Sequence, residues 1–121
     1  LKAVLLAGAT DRGLPGPDYT HGFGLMNLTR SKAILDSGRT ATGSVSTGGA
    51  QTFSVAIPAG AAQLKVMLVW ADPAGNPGAA KCLVNDLDLE VSEPTGTVRR
   101  PLMPSPHPDS VFRAAVERVD R

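Results

Sequence analysis

Residues 83–91 read Leu-Val-Asn-Asp-Leu-Asp-Leu-Glu-Val and carry the clearest pattern in the chain. Because successive side chains of a β-strand point to opposite faces of a sheet, this alternation predicts a strand with one apolar and one acidic face. Residues 93–96 then predict a turn, after which residues 97–100 return as a short strand. The inward positions are Leu87, Leu89 and Val91, and the outward positions are Asp86, Asp88 and Glu90.

Two earlier stretches also repeat with a period of two. Residues 51–57 alternate between apolar and small or polar side chains, and residues 64–70 are apolar on both faces, which is typical of a covered central strand. Pro58 and Gly60 mark a break between these stretches, and residues 72–78 form a loop rich in Pro and Gly. We expect the sheet core to consist of Phe53, Val55, Ile57, Val66, Leu68, Trp70, Leu87, Leu89 and Val91.

The first third of the chain predicts helices instead of strands. Residues 1–9 place apolar side chains on one face at the 3.6-residue period, and residues 27–35 form a second short helix that Ser37 and Gly38 close. Asn27 is a candidate N-cap, although Asn27-Leu28-Thr29 is also a sequon for N-glycosylation. Because no capping residue precedes the first helix and no terminal signal follows the last residues, we expect a piece of a longer protein.

Composition narrows the function classes. The chain has 121 residues and a net charge of +1, which excludes the electrostatic profile of a nucleic-acid binder or of a polybasic membrane module. No apolar run approaches the ~20 residues of a membrane span. The only cysteine, Cys82, has no partner for an internal disulfide.

Few residues suggest chemistry. His21 and His107 lie in loops rich in Gly and Pro, and no serine lies in a nucleophile elbow, so we assign no catalytic and no cofactor-binding residue. Asp86 and Asp88 share one face of the predicted strand, and with a carbonyl from the 72–78 loop they are candidate calcium ligands. The alternatives are an acidic outer face in contact with solvent, or carboxylates that accept backbone N–H groups from a neighbouring turn.

Several motifs resemble the subtilisin-like serine proteases. Residues 1–35 resemble the last two helices of the subtilase catalytic domain, with a G-x-D segment at 16–18, a Gly-Phe-Gly turn at 22–24 and an Asn that opens the final helix at 27. The second half is similar to the jelly-roll domain that follows the catalytic domain in the alkaline, kexin-like branch. Its matching segments are Leu68-Val69-Trp70, Asp72-Pro73 and residues 83–89.

The resemblance implies two helices from the end of an α/β catalytic domain, residues 1–38, followed by a mainly antiparallel, incomplete β-sandwich, residues 41–121. It further implies a secreted serine endopeptidase as the parent, with the upstream catalytic domain and protein or peptide substrates as partners. No G-T-S-M-A-x-P segment occurs here, so the chain itself is expected to lack the triad. The chain is expected to require no cofactor, and calcium is its one candidate ligand.

Two other interpretations stay open. The first is a stand-alone β-sandwich that binds a partner without enzymatic activity. The second is a truncation product with no function of its own, in which open strand edges pair with another copy. We therefore expect the isolated chain to be marginally stable or to self-associate.

Overall fold

The computed structural model describes residues 1–102 and, for the backbone alone, residues 103 and 113–114. Two helices come first, α1 at Lys2–Gly8 and α2 at Leu28–Asp36. The described strands form two antiparallel pairs, in which β1 pairs with β2 and β3 pairs with β4. Their bounds are β1 Val91–Ser92, β2 Val98–Arg99, β3 Leu102–Met103 and β4 Arg113–Ala114.

The two helices pack closely where small residues meet. Val4 and Gly8 of α1 are buried, as is Ser31 of α2. The Ser31 hydroxyl donates to the Val4 carbonyl at 3.4 Å, and a Cβ atom on Gly8 would lie only 2.5 Å from Ser31 Oγ. This close approach is possible because Gly8 has no side chain.

The predicted ends of α2 are confirmed. Asn27 Oδ1 accepts the backbone N–H of Arg30 at 3.0 Å, which satisfies one of the helix's free N-terminal donors. At the other end, the Ser37 N–H donates to the Ala33 carbonyl, and Gly38 follows with a φ of +64°. A positive φ at this position is the usual way for a helix to terminate.

The predicted β-sandwich is wrong. Residues 51–57 and 64–70 form no hydrogen-bonded ladder with any described segment, and every strand in the described part of the chain has two residues. The chain does reverse at residues 58–61, where the Ala61 N–H donates to the Pro58 carbonyl at 3.2 Å. Alternation specifies which side chains share a face, but pairing depends on a neighbour placed in register, which the local sequence does not specify.

The predicted sheet core is wrong for the same reason. Phe53 is 51% exposed and Val55 is 62% exposed, and Trp70, the least exposed of the predicted core residues in the first two stretches, is still 37% exposed. In the third stretch the predicted alternation is present, because Leu87, Leu89 and Val91 are half-buried between exposed acidic residues. Among the described residues, the buried apolar side chains are Val4 and Ala9.

The hairpin near the end of the described part is confirmed. The Gly96 N–H donates to the Glu93 carbonyl at 2.9 Å, and the Glu93 N–H donates to the Thr97 carbonyl at 2.8 Å. The two strands on either side of this turn pair with each other, and Val91 of β1 lies opposite Arg99 of β2. Gly96 has a φ of +88°, a conformation that side chains other than glycine rarely adopt.

The chain divides into two compact units. One contains residues 1–9 and 26–67, and the other contains residues 10–25 and 68–121. The predicted division into 1–38 and 41–121 stays a prediction. Within the described part of the chain, neither helix has the length and apolar character needed to cross a membrane.

Candidate functional site

A buried carboxylate organises the loop between the two helices. Asp18 is only 6% exposed and accepts three backbone N–H groups. Its Oδ1 accepts from Thr20 at 2.9 Å and from His21 at 2.6 Å, and its Oδ2 accepts from Leu14 at 3.3 Å. The Asp18 backbone also exchanges two hydrogen bonds with Gly22, so one residue fixes the course of residues 14–22.

His21 is the imidazole nearest to this carboxylate. Its Nδ1 lies 3.6 Å from Asp18 Oδ1, and its side chain is about half exposed. At that distance the pair interacts by charge when the imidazole is protonated, and it is too long for a direct hydrogen bond. Gly13 allows the arrangement, because a Cβ atom there would lie 2.7 Å from Asp18 Oδ2 and 2.8 Å from His21 Nδ1.

The hydrogen bonds favour the ionised form of Asp18. The backbone N–H of His21 is the main cause that lowers the pKa of Asp18, and the N–H of Thr20, the charge of His21 and the N–H of Leu14 add to it. Desolvation acts in the opposite direction and is outweighed. A carboxylate surrounded by N–H donors in this way positions the backbone and is poorly placed to accept a proton from a substrate.

A second carboxylate joins two segments that are distant in sequence. Asp72 Oδ2 accepts the N–H of Val84 at 2.8 Å, and Asp72 Oδ1 accepts both the backbone N–H and the side-chain amide of Asn85, at 2.8 and 2.9 Å. The indole N–H of Trp70 donates to the Asn85 carbonyl at 3.0 Å. These four bonds, which we call the Asp72 clasp, close the loop that begins after residue 71.

The Asp72 clasp is also arranged for a negative charge. The N–H of Val84 is the main cause that lowers the pKa of Asp72, the backbone and side-chain donors of Asn85 lower it further, and desolvation opposes them. Charge-assisted hydrogen bonds of this kind are shorter and stronger than neutral ones. The chemistry of the clasp is therefore structural.

The two predicted calcium ligands, Asp86 and Asp88, follow the Asn85 that bonds to Asp72. Asp86 Oδ2 forms an ion pair with Lys81 Nζ at 3.1 Å, and both Asp86 and Asp88 are exposed. Across the residues that the structure describes, no group of three or more His, Cys, Asp or Glu side chains is arranged to hold a metal ion. Calcium binding by Asp86 and Asp88 stays a prediction.

The remaining candidates are one cysteine and one histidine. Cys82 is exposed and forms no disulfide, and His107 lies outside the described residues. The hydrogen bonds between the side chains of Asp72 and Asn85 were not predicted from the sequence. No local signal marks these bonds, because Asp72 bonds to residues 12 and 13 positions away, beyond the reach of the local bonds to backbone that Asp and Asn favour.

We compared the chain with protein-family models, with curated proteins and with solved structures, and none of them matches it.

Proposed function

We propose that the chain is the C-terminal, non-catalytic part of a subtilisin-like serine endopeptidase. The parent would hydrolyse peptide bonds with a Ser/His/Asp triad, in which the serine attacks the carbonyl and the histidine transfers the proton. No segment of the G-T-S-M-A-x-P type occurs in these residues, so the part we describe would contribute structure to the enzyme and no catalytic group.

One observation carries the proposal. The residues that match the subtilase motifs also make side-chain hydrogen bonds that hold the backbone, locally in the first motif and across 13 to 15 positions in the second. Asp18 of the G-x-D segment organises its loop, and Asn27 caps α2. Trp70 and Asp72 of the second motif both bond to Asn85. A motif whose members contact one another across the sequence is better explained by a shared scaffold than by chance similarity.

The exposed apolar surface supports a docking role. Leu1 is 89% exposed, and Leu28 and Leu35 on α2 are also exposed. Helices of globular proteins normally bury one apolar stripe against a neighbour. In the proposed enzyme that neighbour is the upstream catalytic domain of the same polypeptide, and the remainder of the chain stabilises the enzyme or contacts its protein substrate. The same proposal places the enzyme outside the cell.

The first experiment is to read the coding sequence that precedes residue 1. We expect a G-T-S-M-A-x-P segment shortly upstream. A start codon or an unrelated domain directly before residue 1 would contradict the proposal, and a stand-alone binding module without enzymatic activity would then be the better hypothesis.

The second experiment tests the stabilising role in the intact parent. Asp72→Asn removes the charge from the Asp72 clasp, and we expect a lower melting temperature and a shorter half-life of protease activity. Asp36→Asn is the matched control, because Asp36 is an exposed aspartate whose ion-pair partner, Lys32, is also exposed. Equal effects of the two substitutions would remove the structural support for the proposal.

A further inference from the structure

One buried carboxylate controls much of the hydrogen bonding in the loop of residues 11–24. Asp18 accepts the N–H groups of Leu14, Thr20 and His21, which come from both sides of the loop. A neutral carboxylic acid keeps one oxygen as a good acceptor and gains a proton that must find an acceptor of its own. Protonation therefore cannot preserve all three bonds.

The neighbouring charged groups do not take over the hydrogen bonds that Asp18 accepts. His21 is the titratable group that faces it, at 3.6 Å. Asp11 and Arg12 belong to the same loop, but Asp11 is exposed and its carboxylate accepts the N–H groups of Arg12 at 3.0 Å and of Gly16 at 2.7 Å. Asp11 thus closes only the first part of the loop.

The bond between Arg12 and Gly13 lies in this loop. Both residues are exposed, and Gly13 is packed against Asp18 and His21 with a φ of +79°. A protease must draw several residues around a scissile bond into an extended conformation, and an ordered loop resists this. The contacts of Asp18 therefore protect a basic cleavage site that solvent already reaches.

We propose that Asp18 is an acid-releasable clasp on the loop of residues 11–24, and that its ionised carboxylate protects the Arg12–Gly13 bond from cleavage by a trypsin-like protease at neutral pH. This regulation is independent of the proposed protease parent, because it rests on contacts within residues 11–22. The loop would then contain a proteolytic processing site that Asp18 keeps closed at neutral pH and releases in acid.

The direction of the pH effect follows from the hydrogen bonds. Because the pKa of Asp18 is lower in the folded loop than in the unfolded chain, its stabilising contribution is complete above the usual pKa range of aspartate. The contribution is lost as the pH falls through the lowered value. The loop should therefore stay closed at neutral pH and open in strong acid.

The test compares two substitutions that remove the same charge from the same loop. In Asp18→Asn at pH 8, we expect trypsin to cleave after Arg12 roughly tenfold faster than in the unchanged chain, since hydrogen bonds to a charged acceptor are lost. Asp11→Asn should change this rate much less. Cleavage after Arg39, which is exposed and lies outside the loop of residues 11–24, serves as the internal reference.

Hydrogen exchange on the unchanged chain provides a second measurement that does not depend on a variant folding. After correction for intrinsic rates, we expect the amides of Leu14, Thr20 and His21 to lose protection between pH 5 and pH 2, before the amides of α2 do. The proposal is overturned if these amides stay protected at pH 2, or if a folded Asp18→Asn variant is cleaved after Arg12 at the unchanged rate.

Discussion

The helix pair and the extended segments 51–57 and 61–67 belong to the same compact unit, yet they bury their side chains very differently. In the helix pair, Val4 and Ser31 are buried, and Gly8 allows the backbones to approach. In the extended segments, Phe53 and Val55 are more than half exposed. Both regions contain regular apolar patterns, so the pattern alone does not determine burial.

The difference lies in where each region obtains its backbone hydrogen bonds. A helix satisfies most of its own N–H and C=O groups, so α1 and α2 need only a few side-chain contacts to pack. An extended segment needs a neighbour in register for the same bonds. Where a turn supplies that register, as at Glu93 and Gly96, a short ladder forms. At residues 58–61 the chain also turns, but no ladder follows.

The largest effect is expected where the helices meet. In Gly8→Val, the new side chain would overlap Ser31, whose backbone nitrogen lies 2.9 Å from the position of an added Cβ atom. We expect a loss of about 1–3 kcal/mol in the free energy of unfolding, measured by urea denaturation. Ala7→Val introduces the same side chain one position earlier and should cost less. Equal losses would mean that the contact with Ser31 does not limit this position.

The hairpin should respond almost as strongly to a change in its turn. Gly96→Ala places a side chain at a φ of +88°, and we expect a loss of about 1–2 kcal/mol. An added Cβ atom would meet no neighbour within 4 Å, so the loss would come from the backbone conformation alone. Gly96→Asn should restore part of the stability, because Asn tolerates positive φ better than Ala. An unchanged Gly96→Ala variant would show that the turn does not set the register.

Loss of the α2 cap should have a moderate effect. Asn27→Ala removes the acceptor for the Arg30 N–H, and helix caps of this kind contribute roughly 1 kcal/mol. Asn27→Asp keeps an acceptor and serves as the control. Far-UV circular dichroism together with urea denaturation measures both variants, and the cap assignment fails if Ala and Asp are equally stable.

The helix cap and the turn could be predicted from the sequence, because their contacts join residues that are close together in the chain. The cap at Asn27 and the turn before Thr97 could be read directly because each depends on contacts within four or five positions. The bond between Trp70 and Asn85 spans fifteen positions and leaves no local pattern. The burial of Asp18 was missed for a different reason, because its three donors lie within four positions but no periodic pattern marks them.

The smallest expected effect is the sharpest test of the comparison. Val55→Thr keeps the shape of the side chain, and because Val55 is 62% exposed we expect a change below about 0.5 kcal/mol. Val4→Thr makes the same change at a buried helical position and should cost about 1–3 kcal/mol, since the new hydroxyl is taken out of water. Both variants are measured by urea denaturation at two protein concentrations a hundredfold apart.

The two protein concentrations separate two explanations for an unexpectedly large loss in the free energy of unfolding of Val55→Thr. A loss that appears only at the higher concentration would mean that a second copy covers the segment, as expected for an open edge without charged residues between Arg39 and Lys65. A loss above 1 kcal/mol at both concentrations would mean that the chain itself covers Val55. The contrast with the helix pair would then be false, because both regions would bury their apolar faces within a single molecule.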